Sequence, residues 1–254
     1  MTDNCAYNPG ALFRVLAGTI MAGLFCAGSV SAYTYSAYTT MTGAKTLALN
    51  PFLYLENFSD RATSGADLVI ACGIRDNLDI YANLAGFYGL NSIPDANPYY
   101  SSWIMPRFDF GDNNIAALQV GVTLDEDGTA QFYAGPQYHF YRENDVFAFE
   151  ANAMFYTKNN PTTVNPWAGA IVGPVWKAIP EILFPYIEVN PGYDFGDDSA
   201  DGTFDLTVAP GICIAIPNAT HQLSISFPIS GLAAGEATAG IAAWCWFSFG
   251  GTQE

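Results

Sequence analysis

Hydrophobic and polar residues alternate along most of this chain with the two-residue period of a β-strand. In the stretch 183–195, Leu183 and Ile187 fall on one parity, whereas Glu188 and Asp194 fall on the other. Successive side chains of a strand point to opposite faces of a sheet. The stretch is therefore predicted to form a strand with one apolar face and one face that carries two carboxylates.

Twelve segments of this kind follow one another, separated by short polar turns. Within a membrane every backbone polar group must find a partner inside the protein, so spanning β-structure closes into a barrel, usually with an even number of strands. The pattern therefore predicts an all-β fold, a single antiparallel transmembrane β-barrel of about 12 strands. The predicted strands occupy residues 46–56, 66–74, 78–88, 100–110, 115–124, 129–141, 146–157, 166–176, 183–195, 203–216, 222–230 and 238–249.

The first 32 residues have the features of a secretory leader. Arg14 precedes an apolar run at 15–25, and small residues at 28–32 offer a cleavage site after Ala32. The alternative is a retained N-terminal helix. Export through the inner membrane would bring the barrel to the outer membrane of a diderm bacterium. The predicted division of the chain is a signal peptide at 1–32, a flexible segment at 33–45, the barrel at 46–249 and a C-terminal tail at 250–254.

The connections between the predicted strands alternate between short and mostly longer. With the start of the mature chain in the periplasm, the short set would face the periplasm. The short set comprises residues 75–77, 111–114, 142–145, 177–181 and 217–221, and the opposite set includes 57–64, 89–99, 158–165 and the short exception 125–128.

Prolines occur inside the predicted strands, where each one removes a hydrogen bond from the ladder. Six of them, named below, share the outward, apolar parity. This regularity predicts a recurring structural device, such as bulges or irregular pairing. The residues are Pro51, Pro106, Pro136, Pro174, Pro191 and Pro210.

The charge balance is strongly acidic, with 24 Asp and Glu against 8 Lys and Arg and a formal net charge of −16. Such a chain repels nucleic acid, which is therefore not an expected partner. The predicted transmembrane barrel makes membrane lipid and small-molecule solutes the expected partners. No apolar run after the leader reaches the roughly 18 residues that a spanning helix needs. The sequence leaves the oligomeric state open.

Parity places a set of mostly acidic side chains toward the interior, which would favour cations over anions in a wet pore. Glu150 and Glu188, near mid-strand, are predicted to line the narrowest part, with Arg107 as their counter-charge. The alternative, held open here, is a filled barrel in which the carboxylates are hydrogen-bonded. The predicted pore-lining residues are Glu56, Asp79, Arg107, Asp109, His139, Glu150, Glu188, Asp194 and Asp205.

Neither a cofactor nor a metal is expected. Removal of the leader would leave Cys72, Cys213 and Cys245, an odd number, and Cys213 has the opposite parity to the other two. The acidic turn at 196–202 resembles the start of a calcium loop. Val208 stands where a bidentate glutamate is needed, so the turn is predicted to be solvated.

An enzymatic role is not expected. His139 and His221 are the two histidines of the chain, and Ser224 and Ser226 could approach them near the short-turn rim. No nucleophile-elbow motif, paired metal spacing or phosphate loop accompanies these residues. A lipid-modifying barrel enzyme and a closed structural or adhesive barrel remain as alternatives to a channel.

Three recurring segments carry a resemblance to a known family. They begin at Asn50, Gly135 and Asn190 and read N-P-F-L-Y-L, G-P-Q-Y-H-F and N-P-G-Y-D-F. With the Gly-Asp turns, they make most of residues 46–249 similar to the transporter-like outer-membrane barrels of the meta pathway of phenol degradation. The resemblance implies passage of small solutes, including hydrophobic or aromatic compounds. Together with the inward acidic residues, it predicts an outer-membrane channel for passive diffusion through a narrow acidic lumen.

Overall fold

The chain folds into strands whose bounds follow the predicted series closely. The computed structural model describes residues 40–56, 63–88, 99–124, 128–160, 163–195, 202–216, 221–235 and 237–250. The strands are β1 (Thr46–Glu56), β2 (Thr63–Arg75), β3 (Leu78–Tyr88), β4 (Tyr99–Asp109), β5 (Asn114–Leu124), β6 (Ala130–Glu143), β7 (Phe147–Asn160), β8 (Thr163–Trp176), β9 (Leu183–Asp194), β10 (Thr203–Ala215), β11 (Gln222–Ser226), β12 (Ile229–Ser230), β13 (Thr238–Ala239) and β14 (Ile241–Gly250). The predicted leader, most of the predicted acidic turn and residues 251–254 lie outside the described residues.

The sheet is antiparallel and closes on itself, because β1 pairs with β14 on one side and with β2 on the other. β10 pairs with both β11 and β12, which continue one another along the wall, as do β13 and β14. These four short elements therefore make two wall strands. The predicted twelve-stranded antiparallel barrel is confirmed. Within the described residues, no helix is long and apolar enough to cross a membrane.

One predicted connection is wrong. The sequence suggested a long connection at 158–165, whereas the β7–β8 ladder continues through Lys158 opposite Asn165 and Asn160 opposite Thr163. Only residues 161–162 remain between the two strands. Backbone pairing does not require apolar side chains, so the hairpin extends beyond the point where the hydrophobic alternation stops.

The alternation sorts side chains into an apolar outer wall and a largely polar inner wall. Outward Leu53 exposes 61% of its surface and Phe132 exposes 63%, whereas inward Ala48 and Glu188 are completely buried. An outer band of large exposed hydrophobic residues is characteristic of a barrel that faces lipid. In a soluble sandwich the same parity would be the one hidden in the core.

The prolines interrupt pairing without changing register. β1 and β14 pair at Leu49–Phe247 and next at Phe52–Trp244, so that the ladder skips Pro51. A gap of the same length lies at Pro106, Pro136, Pro174, Pro191 and Pro210, on one side of the strand only. The irregular pairing predicted from the sequence is thus confirmed as a two-residue gap.

At Pro51 a side chain replaces the missing hydrogen bond. Register places Cys245 opposite Pro51, whose nitrogen carries no hydrogen. The inward Asn50 donates from Nδ2 to the Cys245 carbonyl oxygen at 2.7 Å. The carbonyl group therefore keeps a partner inside the barrel.

The two ends of the barrel differ. Residues 76–77, 110–113 and 144–146 make short turns at the end where β1 begins and β14 finishes, which we call the short-turn end. Connections such as 89–98 lie at the opposite, long-loop end, with 161–162 as a short exception. The halves of the barrel next to these ends are called the short-turn half and the long-loop half.

Candidate functional site: the barrel interior

Five of the predicted pore-lining side chains lie deep inside the barrel. Asp79, Arg107, His139, Glu150 and Glu188 are each at most 1% exposed. They come from five different strands and share the inward parity, as the alternation predicted. The barrel interior therefore contains five ionisable side chains that are shielded from solvent.

The remaining predicted lining residues lie closer to the rims. Asp109 ends β4, and its Oδ1 accepts a hydrogen bond from the Gly111 amide at 2.8 Å. Asp205 is exposed, and its Oδ1 accepts from the Leu206 amide at 2.8 Å. Asp194 is half-buried at the end of β9. The side chain of Glu56 lies outside the described part of the chain.

Asp79 and Arg107 form a two-point ion pair on neighbouring strands. The β3–β4 register sets them directly opposite each other. Arg107 Nε lies 2.9 Å from Asp79 Oδ1, and Arg107 Nη2 lies 2.7 Å from Asp79 Oδ2. The guanidinium also lies 4.0 Å from the centroid of the Tyr81 ring. The ion pair shown for Arg107 is therefore with Asp79, where the sequence suggested Glu150 and Glu188.

The registers of β7, β8 and β9 place Glu150 and Glu188 on either side of one glycine. Glu150 on β7 pairs with Gly173 on β8, and the β8–β9 register places Gly173 beside Glu188. A glycine on the intervening strand leaves room for both side chains along the wall. Glu188 Oε1 accepts a hydrogen bond from Asn190 Nδ2 at 2.5 Å. The two carboxylates are therefore on the inner wall two strands apart, and their role in lining the narrowest part stays a prediction.

A network of amides and hydroxyls crosses from β5 to β7. Gln137 Nε2 donates to Gln119 Oε1 at 2.5 Å and to the Tyr156 hydroxyl. Tyr156 donates to Gln119 Oε1 at 2.8 Å, and Asn152 Nδ2 donates to Gln137 Oε1 at 3.0 Å. These residues were absent from the predicted lining set, although their inward parity was a signal that could have found them.

Large aromatic side chains fill the middle of the barrel. Trp246 stacks on Tyr81 with ring centroids 6.0 Å apart, although β14 and β3 are separated by two strands. Trp246 packs against both interior hydrophobic clusters, one around Tyr81 and Met105 and the other around Trp244 and Phe184. The predicted lining set omitted Trp244 and Trp246, although both have the inward parity of β14.

The long-loop half is less tightly closed. Tyr133, Tyr156 and Trp167 point inward there and are only half-buried. Tyr156 lies 5.7 Å from Trp167 and 5.9 Å from Tyr133, centroid to centroid. Each ring lies over a glycine of the wall; a Cβ at Gly169, for example, would fall 2.2 Å from Trp167 Cη2. The rings form an aromatic row along the wall.

Residues considered for catalysis have other contacts. The Ser224 hydroxyl lies 2.7 Å from the Tyr186 hydroxyl and donates to the Ile212 carbonyl oxygen at 3.3 Å. The His221 ring contacts Phe247 at 5.5 Å. His139 belongs to β6, several strands away from β11 along the wall. The absence of enzymatic activity stays a prediction.

The thiols also follow the predicted parity. Cys213 is buried inside the barrel and Cys72 is exposed on the outer wall. Cys245 is partly buried, and among the described residues all three are free cysteines.

Comparisons with solved structures identify the architecture. The translocator domain of the autotransporter NalP from Neisseria meningitidis matches with a TM-score of 0.54 and 8% identity, covering 94% of this chain and 97% of that one. The KdgM porin matches with a TM-score of 0.50 and 8% identity, covering 80% and 99%. A bacterial polysaccharide outer membrane secretin matches with a TM-score of 0.50 and 7% identity, covering 80% and 98%.

No protein-family model and no curated protein matches the sequence. Similarity at such low identity shows the fold alone. The closed antiparallel sheet, the apolar outer wall and these matches agree, and the chain has the fold of an outer-membrane β-barrel.

Proposed function

We propose that this chain is an outer-membrane channel through which small solutes diffuse passively. The observation that carries the proposal is a polar inner wall enclosed by an apolar outer wall. A polar interior within an apolar band is typical of barrels that carry an aqueous path. The buried inward polar residues include Asn50, Asp79, Asn83, Arg107, Gln119, Gln137, His139, Glu150, Asn152 and Glu188.

The fixed charges of the interior favour cations. Among the described residues, Arg107 is the one buried Lys or Arg, and Asp79 balances its charge. Glu150 and Glu188 add two carboxylates on either side of Gly173. Rings of acidic side chains attract cations and repel anions in a pore. We therefore place the selective part of the channel at these two glutamates.

Conduction requires the interior to rearrange. Tyr81, Arg107, Glu150 and Glu188 have almost no exposed surface, so the described structure corresponds to a closed or very narrow state. We expect small and intermittent conductance. The similarity to the KdgM porin supports passage of small solutes. The resemblance to the meta-pathway barrels favours aromatic or hydrophobic compounds among them, and the half-buried rings of the long-loop half would offer such compounds a surface.

Planar-bilayer recordings with the purified full chain test this function. We expect small cation-selective steps, and we expect Glu188→Gln to lower the preference for cations because it removes one carboxylate from the narrow part. Glu143→Gln is the matched control, since Glu143 ends β6 at the short-turn rim, where it is exposed and pairs with Lys177 at 2.6 Å. Equal selectivity in the wild type and Glu188→Gln would remove Glu188 from the filter.

A closed structural barrel is the second candidate, and the complete burial of the central charged residues favours it. Liposome swelling with small neutral solutes separates the two functions. A channel admits the solutes and the vesicles swell, whereas a permanently filled barrel admits none. No conductance together with no swelling would therefore contradict the channel.

A further inference from the structure

The residues that precede β1 contact the inner wall of the short-turn half. The Lys45 amide donates to the Gly73 carbonyl oxygen at 2.9 Å. The Thr42 amide donates to Asp79 Oδ2 at 2.9 Å. Arg107 Nη2 donates to the Thr40 carbonyl oxygen at 2.6 Å. Residues 40–45 are thus attached at three points along their length.

Space for this segment depends on a glycine of the wall. Gly73 lies on β2 with the inward parity, and a Cβ built there would fall 1.6 Å from the Gly43 carbonyl oxygen. Any other residue at position 73 would therefore collide with the backbone of the segment. Gly43 itself has a φ of 83°, a conformation that non-glycine residues rarely adopt. The wall and the segment both carry a glycine where they approach most closely.

The ion pair supplies both polarities that a peptide backbone needs. The Asp79 carboxylate accepts from a backbone amide, and the Arg107 guanidinium donates to a backbone carbonyl two residues earlier. Hydrogen bonds to charged groups are stronger than those between neutral groups. The Thr42 hydroxyl also donates to the Tyr81 hydroxyl at 3.1 Å, and this contact depends on the side chain of residue 42.

We propose that Gly73, Asp79, Tyr81 and Arg107 form a binding site for a peptide backbone, that residues 40–45 occupy it, and that the occupied site closes the short-turn end of the channel. The occupant is this chain's own segment, because it is seated on the site in the structure. The closing role rests on the proposed channel function. The binding site itself does not.

Hydrogen exchange measured by mass spectrometry tests the site in the full chain. We expect the amides of Thr42 and Lys45 to exchange slowly, since both are hydrogen-bonded to the wall. Gly73→Val should expel the segment, and loss of its hydrogen bonds should raise the exchange rate of these amides by about tenfold or more. Gly169→Val is the matched control, because the same change there collides with Trp167 in the other half.

A second variant keeps the test decisive if Gly73→Val does not fold. Gly43→Val disfavours the φ of the segment and leaves the barrel wall unchanged, so the same rise in exchange is expected. Unchanged protection of Thr42 and Lys45 in a folded variant of either kind would overturn the binding site.

Conductance of the same variants tests the closing role. Gly73→Val and Gly43→Val should open more often or conduct more than the wild type. Gly235→Val should not, because it strains an exposed turn at the long-loop end, at a φ of 76°. If the variants exchange faster but conduct as the wild type does, the closing role is overturned and the channel function stands. Absence of conductance and of swelling in all variants would instead overturn the channel function, while the exchange data would still decide the binding site.

Discussion

The two halves of the barrel keep their interiors ordered by different means. In the short-turn half, Asp79 and Arg107 are fully buried and the N-terminal segment lies against them. In the long-loop half, half-buried aromatic rings such as Trp167 lie on wall glycines such as Gly169. Buried charged groups need an oppositely charged partner at a fixed position, whereas an aromatic ring that lies over a glycine can shift along the wall. The difference predicts a rigid short-turn half and a long-loop half whose side chains adjust more easily.

The buried charges and the half-buried rings also contribute to stability in different ways. A charge enclosed without water depends completely on its partner, so loss of that partner leaves the full cost of desolvation. A half-buried ring retains access to solvent and can adjust when its neighbour changes. The first half should therefore be the more sensitive to substitution.

The largest effect is expected for the buried ion pair. Arg107→Met leaves the Asp79 carboxylate buried and without its guanidinium, which should lower the free energy of unfolding by about 3–5 kcal/mol. Urea unfolding in detergent micelles, followed by tryptophan fluorescence, measures the change. Arg142→Met is the control, since Arg142 is exposed and lies over Phe140 at 4.4 Å. Equal losses of unfolding free energy in the two variants would show that the buried ion pair is no more important for stability than an exposed arginine at the rim.

A smaller effect is expected where a side chain replaces a proline hydrogen bond. Asn50→Leu leaves the Cys245 carbonyl without its donor, which should cost about 1–3 kcal/mol. Pro51→Ala in the same chain restores an amide opposite Cys245 and should recover part of the loss. The same unfolding measurement applies. If the double variant is no more stable than Asn50→Leu, the Asn50 side chain does not replace the hydrogen bond that Pro51 cannot donate.

The smallest effect is expected in the long-loop half. A Cβ at Gly169 would fall 2.2 Å from Trp167 Cη2, and the three heavy atoms nearest to it all belong to the Trp167 ring. Gly169→Val should therefore cost about 1 kcal/mol, at the low end for overpacking, because the half-buried ring can move aside. Adding Trp167→Ala should remove most of the coupling in a double-mutant cycle. A loss as large as that of Arg107→Met would mean that this half is equally rigid.

The sequence alone determined the architecture and the inner face. Alternation has a period of two along each strand, so parity identified Glu150, Glu188 and Arg107 as inward residues before any contact was known. The outward parity of the prolines likewise predicted irregular pairing. These features are local, because they depend on residues that are neighbours along the chain.

Only the tertiary structure decided which inward side chains meet. The β3–β4 register sets Arg107 opposite Asp79. The registers of β7, β8 and β9 place Glu150 and Glu188 on either side of Gly173. The stacking of Trp246 on Tyr81 and the contact of residues 40–45 with the wall also join positions far apart in the chain. Such contacts depend on strand register. The two-residue period excludes shifts of one residue but does not choose among shifts of two or more.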